Sequence, residues 1–280
     1  CQKLTNSTRA GKDTVMALSV MSGVLSLDTT LQRLTALSPY LEGRTGADLP
    51  EGWIASTDLF APGSPSLPLV LDAVGATTGS DDWQIAVSFF MNGYAWTVAA
   101  VALGCVVVDG RLPDLSFENV ALHYDDGRML GVAFMNGRFT ALPDDAAAGD
   151  PHADLVPDRA ALLEEFRQQI EAHMARVVPV LRAQSSLGTR ALWITVADRC
   201  AGFLYWANQL KPDLLPREAV LADLPALVRV LGSPMANRLT RIEETCTADG
   251  PTLTLRRGSC CLNYRRHGGE LCESCPLNKD

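Results

Sequence analysis

The chain is 280 residues long, 47% hydrophobic and 20% charged, with a formal net charge of −8 at pH 7. This length and apolar share provide for one substantial core or two modest ones and exclude an intrinsically disordered chain, while the acidic balance excludes the dominant basic face that nucleic-acid binding needs. The longest apolar run, Ala95 to Val108, falls short of the roughly 20 residues of a membrane-spanning helix, so a buried core helix and no transmembrane segment are expected.

The opening CQKLTNSTRAGKD has neither an apolar stretch nor a small-residue cleavage pattern, so residues 1–14 read as a flexible, tag-like extension and not as a secretory signal. The expected compartment is therefore the cytoplasm, with association at the inner membrane face compatible but not demanded. There, the eight cysteines are expected to be buried, catalytic or metal-bound and not disulfide-paired. Residues 15–42 predict one or two helices with a break near Asp28-Thr29-Thr30, where Asp28 can cap the second. Residues 43–82, with Pro50, Pro62, Pro65 and Pro68, predict loops with short helical turns. A long buried helix follows over 82–108, capped by Asp81 or Asp82 and weakened by Gly93 and Gly104.

FENVALHY (117–124) and MLGVAFM (129–135) predict a β-hairpin turning at Asp125-Asp126-Gly127, with a second turn at Asn136-Gly137. The acidic, alanine-rich stretch 143–157 reads as a linker between an N-terminal helical region with a β-hairpin (15–142) and a helical subdomain (158–237). Asp158 is placed to cap a helix whose Leu163, Phe166, Ile170, Met174, Val177 and Leu181 share one face, with a kink expected at Pro179. Residues 189–210 predict a more apolar helix, and 216–231 another with Pro216 at its start. Segments NRLTRIEETC and PTLTLRRGS predict two strands joined at Ala248-Asp249-Gly250, within a final unit, 238–280, that ends in a small cysteine-rich segment. The fold class expected is α+β, mainly helical with two β-hairpins, and the chain is expected to be a monomer.

The tail RRGSCCLNYRRHGGELCESCPLNKD has the spacing C-C-x10-C-x2-C, with Cys260, Cys261, Cys272 and Cys275 inside 16 residues. Four such sulfurs in a reduced chain point to a metal site. Structural zinc usually takes two C-x2-C turns, and only the second pair has that form. Adjacent cysteines on a regular strand point to opposite faces, so Cys260 and Cys261 converge only if the strand has ended and the chain is bending, as Gly258-Ser259 allows. A binuclear iron–sulfur cluster, longer than one zinc ion, suits one tight pair and one looser pair; structural zinc remains the alternative on spacing alone. The segment is also basic, with Arg256, Arg257, Arg265, Arg266 and Lys279 against Glu270, Glu273 and Asp280.

This tail closely resembles the C-terminal iron–sulfur segment of the FhuF-type ferric-siderophore reductases, over roughly the last 35 residues. The helical region before it is compatible with the FhuF domain, which is related to the C-terminal part of the IucA/IucC siderophore synthetases. The resemblance implies that Cys260, Cys261, Cys272 and Cys275 ligate a [2Fe–2S] cluster, and that the chain reduces siderophore-bound Fe(III), most readily a hydroxamate complex, to Fe(II) by one electron. Hard oxygen ligands suit Fe(III) far better than Fe(II), so one electron is enough to loosen the complex. With no G-x-G-x-x-G fingerprint, an external donor such as a ferredoxin or a flavin reductase is expected.

Arg265 and Arg266 are candidate contacts for the siderophore or the donor, against the plainer reading of a solvated turn. His267 is a weak ligand candidate, because Rieske-type sites need two histidines. Cys246 reads as a strand cysteine that could approach the cluster, and Cys105 and Cys200 as core. Trp193, Tyr205 and Trp206 read as core rather than as a siderophore cleft. Two other classes stay open: an electron-transfer or redox-sensing protein, and a siderophore-binding or biosynthetic module with structural zinc.

Overall fold

A computed structural model describes residues 26–247 and 250–278. The expected N-terminal extension, residues 15–25 of the first predicted helix, and Ala248-Asp249 of the last turn lie outside the described residues. Helix α1 (Leu27–Leu37) starts after Ser26 and buries Leu27, Leu31 and Leu34. Asp28 sits in its first turn and not at the cap, where its carboxylate accepts a hydrogen bond from Thr45 Oγ1 at 2.6 Å.

The region expected to be loops is more ordered than its prolines suggested. It holds strands β1 (Glu42–Thr45) and β2 (Trp53–Ala55), the single turn α2 (Ser56–Leu59) and the 13-residue helix α3 (Ser66–Thr78). Pro68 does not break α3, because it occupies the first turn, where a helix has no partner for the amide that proline lacks.

Helix α4 (Trp83–Asp109) runs through the centre of the protein and contacts α1 and α3. Asp82 caps it, its carboxylate accepting the Gln84 N–H at 3.0 Å. Gly104 is there for contact: a Cβ would sit 2.7 Å from Leu34 Cδ1, so the bare backbone lets α1 come close. By length and composition, α4 could cross a membrane, yet 72% of its most apolar window is buried inside this protein.

Strands β3 (Leu112–Pro113), β4 (Val120–Asp125), β5 (Arg128–Phe134), β6 (Phe139–Ala141) and β7 (Ala153–Leu155) complete two small sheets, ordered β1-β5-β4-β2 and β3-β6-β7. Strands β4 and β5 are the predicted hairpin, and its turn residues Asp126 and Gly127 both have positive φ. The first strand starts later than predicted, since Phe117–Asn119 form a 3-10 turn. The stretch read as a linker carries β7, paired in parallel with β6, and Asp145, which meets Arg111 at 2.7 Å with both side chains buried.

Helices α5 (Arg159–Ala183), α6 (Thr189–Leu210) and α7 (Arg217–Val228) follow, then the antiparallel pair β8 (Arg241–Thr247) and β9 (Gly250–Arg256). Asp158 caps α5, accepting from the Ala161 N–H at 2.9 Å, and all six residues of the predicted stripe are buried. The helix continues beyond Pro179 to Ala183. On its inner face, His173 Nδ1 donates to the Leu115 carbonyl at 2.9 Å, leaving Nε2 to accept from the Tyr94 hydroxyl at 2.6 Å. Burial holds this imidazole near a pKa of about 4, so it packs as a neutral ring. The architecture is α+β, with 49% helix and 16% strand among the described residues.

Candidate metal centre

The cysteines are delivered by the end of β9 and seated by α6. Where β9 stops at Arg256, the Arg257 N–H donates to the Ser274 carbonyl at 3.0 Å, closing the tail back on itself. The next two residues rest on Asp198, a buried carboxylate of α6 that receives four donors. Its Oδ1 accepts from the Gly258 N–H at 2.7 Å and Thr240 Oγ1 at 2.6 Å, and its Oδ2 from the Ser259 N–H at 2.8 Å and Ser259 Oγ at 2.5 Å. Burial pushes this carboxyl upward in pKa, opposed by the donors from Ser259, Thr240 and Gly258. Gly258 is required by space, because a Cβ would lie 2.8 Å from Ile194 Cγ2 and 3.0 Å from the Thr240 amide nitrogen.

Cys260 and Cys261 follow, outside the strand, and Leu262 takes a left-handed conformation with φ 62° that bends the chain. The Leu262 N–H donates to Cys260 Sγ at 3.4 Å, and Ser88 Oγ of α4 to the Cys261 carbonyl at 3.0 Å. The intervening loop is closed by Asn263 Nδ2 donating to the Glu270 carbonyl at 2.7 Å. At the second pair, the Cys275 N–H donates to the Cys272 carbonyl at 2.9 Å, the tight turn expected of C-x2-C, and Asn278 Nδ2 braces the same carbonyl at 2.9 Å.

The two ends of the loop bring the four cysteines together. Cys261 Sγ and Cys272 Sγ are 3.3 Å apart, and both Cys275 and Cys261 act electrostatically on Cys260. Four thiolates, two from each end of the loop, are the donor set of a [2Fe–2S] cluster. The residues present therefore fit a [2Fe–2S] cluster.

The electrostatics differ between the pairs. Burial would raise the Cys261 thiol, but donation from Arg257 Nη2 at 3.5 Å, together with the Asn263 amide and Cys272, holds it below its ordinary value. Cys272 is raised by burial and by neighbouring Cys261, so Cys261 ionises first of the two. Cys260 is raised by burial and by Cys275, against donation from the Leu262 amide. Arg257 is buried, and the Nε atoms of Arg257, Arg199 and Arg266 are all buried with no hydrogen-bond partner among the described residues. Unpartnered buried donors of this kind beside thiolates suit an anionic group such as a cluster.

Of the two arginines predicted to contact substrate or donor, Arg265 is held against α4, donating to Gln84 Oε1 at 2.9 Å and pairing with Asp82. Arg266 lies over the Phe89 ring at 5.9 Å. His267 is exposed in the loop. Cys246 pairs with Pro251 near the tip of the hairpin, five residues from Arg241, which places it about 16 Å along the strand from the cysteine end. Cys105 and Cys200 are fully buried, and burial pushes the Cys200 thiol up to about 12. Trp193, Tyr205 and Trp206 pack against the core, while Tyr205 also lines a cavity of about 500 Å³ with Arg241, Glu243, Leu255 and the Glu273-Ser274 segment between the last two cysteines.

The fold and site define an iron–sulfur protein with its cluster on a C-terminal loop clamped to two core helices. Residues 88–245 match the family described as ferric iron reductase FhuF-like transporter, and residues 257–277 match the FhuF 2Fe-2S C-terminal domain. The chain belongs to the FhuF family and carries a [2Fe–2S] cluster. No curated protein sequence matches the chain. Among solved structures, it is similar to ATP-bound aerobactin synthetase IucA from a hypervirulent pathotype of Klebsiella pneumoniae, at 14% identity and a TM-score of 0.51 over 74% of this chain and 46% of that one. Aerobactin synthetase IucC from the same source matches at 15% identity and a TM-score of 0.47, over 67% of this chain and 36% of that one. The chain thus spans less than half the length of either synthetase, and the likeness to IucA is one of fold.

Proposed function

We propose that this chain is a one-electron reductase of ferric siderophores, with Cys260, Cys261, Cys272 and Cys275 as the ligands of its cluster. The observation that carries the reading is the approach of Cys261 Sγ to Cys272 Sγ at 3.3 Å, which brings the two ends of the cysteine loop together where it is fixed to α4 and α6. When bound, the cluster supplies a carrier for a single electron. The protein's own residues fix the thiolates, through Asp198 under the first pair and Asn278 beside the second, and Arg257 stabilises the ionised Cys261. Cys260 and Cys272 are half-buried and the loop between them carries the exposed Tyr264, His267 and Leu271, so an external one-electron donor, a ferredoxin or a reduced flavin, can reach it.

The oxygen-rich coordination of a siderophore favours Fe(III), and its reduction by one electron gives Fe(II), which leaves for softer ligands. The cavity beside Glu273 and Ser274 is within the usual size of ligand sites and offers the chelate a place next to Cys272 and Cys275. A cytoplasmic setting, where imported chelates arrive and thiols stay reduced, suits this chemistry.

The test is replacement of Cys272 by Ala in the full chain. The variant is expected to lose the cluster's visible absorption and its acid-labile sulfide, and with them the release of Fe(II) from a ferric hydroxamate. A variant that kept full sulfide and iron would refute the ligand assignment.

A further inference from the structure

The two pairs of sulfurs sit in unlike surroundings, and the difference bears on where an added electron resides. Arg257 Nη2 donates to Cys261 Sγ at 3.5 Å, and the charges of Cys261 and Cys272 act on both Arg257 and Arg199. Cys260 is met instead by the Leu262 amide and by two other cysteines, Cys261 and Cys275. Neither Arg199 nor Arg257 pairs with a carboxylate among the described residues, and Arg199 Nη2 donates only to the neutral Asn92 Oδ1. The oxygens of neighbouring Asp198 are taken by Thr240, Gly258 and Ser259. Two guanidinium groups that repel each other in a poorly solvated place, each with a buried Nε–H lacking a partner among the described residues, are costly unless an anion lies beside them.

We infer that Arg199 and Arg257 are positioning residues for the cluster's charge, and that they would hold the negative charge of an added electron on the side of Cys261 and Cys272. This rests on the four cysteines being the ligands. When bound, the cluster would take one electron from a reduced ferredoxin or flavin and gain one negative charge, with no covalent bond broken. That charge is best accommodated beside the two cations. On reoxidation, the same electron passes to the siderophore's Fe(III). The arginines act by stabilising the reduced state more than the oxidised one, through charge and through hydrogen bonds to sulfur.

The experiment is a redox titration of the full-length holoprotein, followed by visible absorption and by electron paramagnetic resonance of the reduced state. Arg257→Gln and Arg199→Gln are each expected to disfavour reduction about tenfold, a fall of about 59 mV for a one-electron couple, with Arg257→Lys restoring part of the loss. Serine in place of Cys261 is expected to lower the potential and alter the reduced signal more than serine in place of Cys275. Should Arg257→Gln fail to hold its cluster, Arg199→Gln and Arg257→Lys still report the shift. Unchanged potentials in both arginine variants with intact clusters, or a larger effect from Cys275→Ser than from Cys261→Ser, would overturn the inference. Retention of the full cluster without Cys261 or Cys272 would instead overturn the ligand assignment beneath it.

Discussion

Replacing Asp198 by Asn tests whether this carboxylate is what seats the cysteine turn. Each oxygen of Asp198 now accepts two hydrogen bonds, from Thr240 and Gly258 on one side and from Ser259 twice on the other. An amide keeps the shape and one acceptor oxygen, but turns an NH2 group toward two of those donors. One backbone N–H, of Gly258 or Ser259, then faces another donor in a buried setting, which costs about 1–3 kcal/mol, and a hydroxyl loses its acceptor for about 1 kcal/mol more. The expected destabilisation is therefore about 2–4 kcal/mol, a large share of an ordinary domain's stability.

Urea denaturation of the anaerobic holoprotein reads the loss, and iron and sulfide per chain read whether the cysteines still converge. Both are expected to fall together, because ligand placement and local folding are one event at such a site. Ser259→Ala, which removes only one of the four donors, is expected to cost about 1 kcal/mol and to keep most of the iron. An Asp198→Asn protein within about 0.5 kcal/mol of the parent, with full iron, would show that the turn is held by something else.

Gly258→Ala places a Cβ against Ile194 and the Thr240 backbone, so a loss of about 1–3 kcal/mol and reduced cluster content are expected in the same assays. His173 gives a pH signature: its pKa is about 4 in the folded chain against 6.5 for a free imidazole. The stability contributed by the neutral ring is thus complete above pH ~6.5 and falls by about 3 kcal/mol as the pH drops toward 4. His173→Gln should flatten that part of the stability profile, and an unchanged profile would exclude the buried ring as its source. Arg265→Gln breaks a half-exposed pair with Asp82, so its stability cost is expected to stay within about 1 kcal/mol. A much slower iron release in that variant, at unchanged cluster content, would revive a substrate or donor contact for Arg265.

The elements most legible in the sequence were the long periodic ones: α5 with its buried stripe and capping Asp158, and α6, whose span matches the apolar run 189–210. Helix α3 was hidden by Pro65 and Pro68, which read as breakers but fall at and just inside the helix start. Strands β1 and β2 are three or four residues long, too short for alternation to show, and exist because β5 and β4 pair with them. At the site, the cysteines announced themselves by spacing, whereas Asp198 and Arg199 were passed over inside a helix read as plain core. Their signal was available: two charged residues within VADRCAG, on an otherwise apolar run, are tolerated only when the fold supplies each with partners. Which partners these were depended on bringing residue 198 beside residues 240, 258 and 259, a contact that local patterns do not encode.

The central claim, that this protein hands one electron from a cysteine-bound cluster to a siderophore's iron, is tested most directly by a single turnover. Anaerobic protein, reduced with dithionite and freed of excess reductant, is mixed with a ferric hydroxamate in the presence of an Fe(II)-specific chelator. The account predicts rapid return of the oxidised cluster's visible absorption, with one Fe(II) captured for each cluster reoxidised. A cluster that stays reduced, or one that reoxidises while no Fe(II) appears, would contradict it.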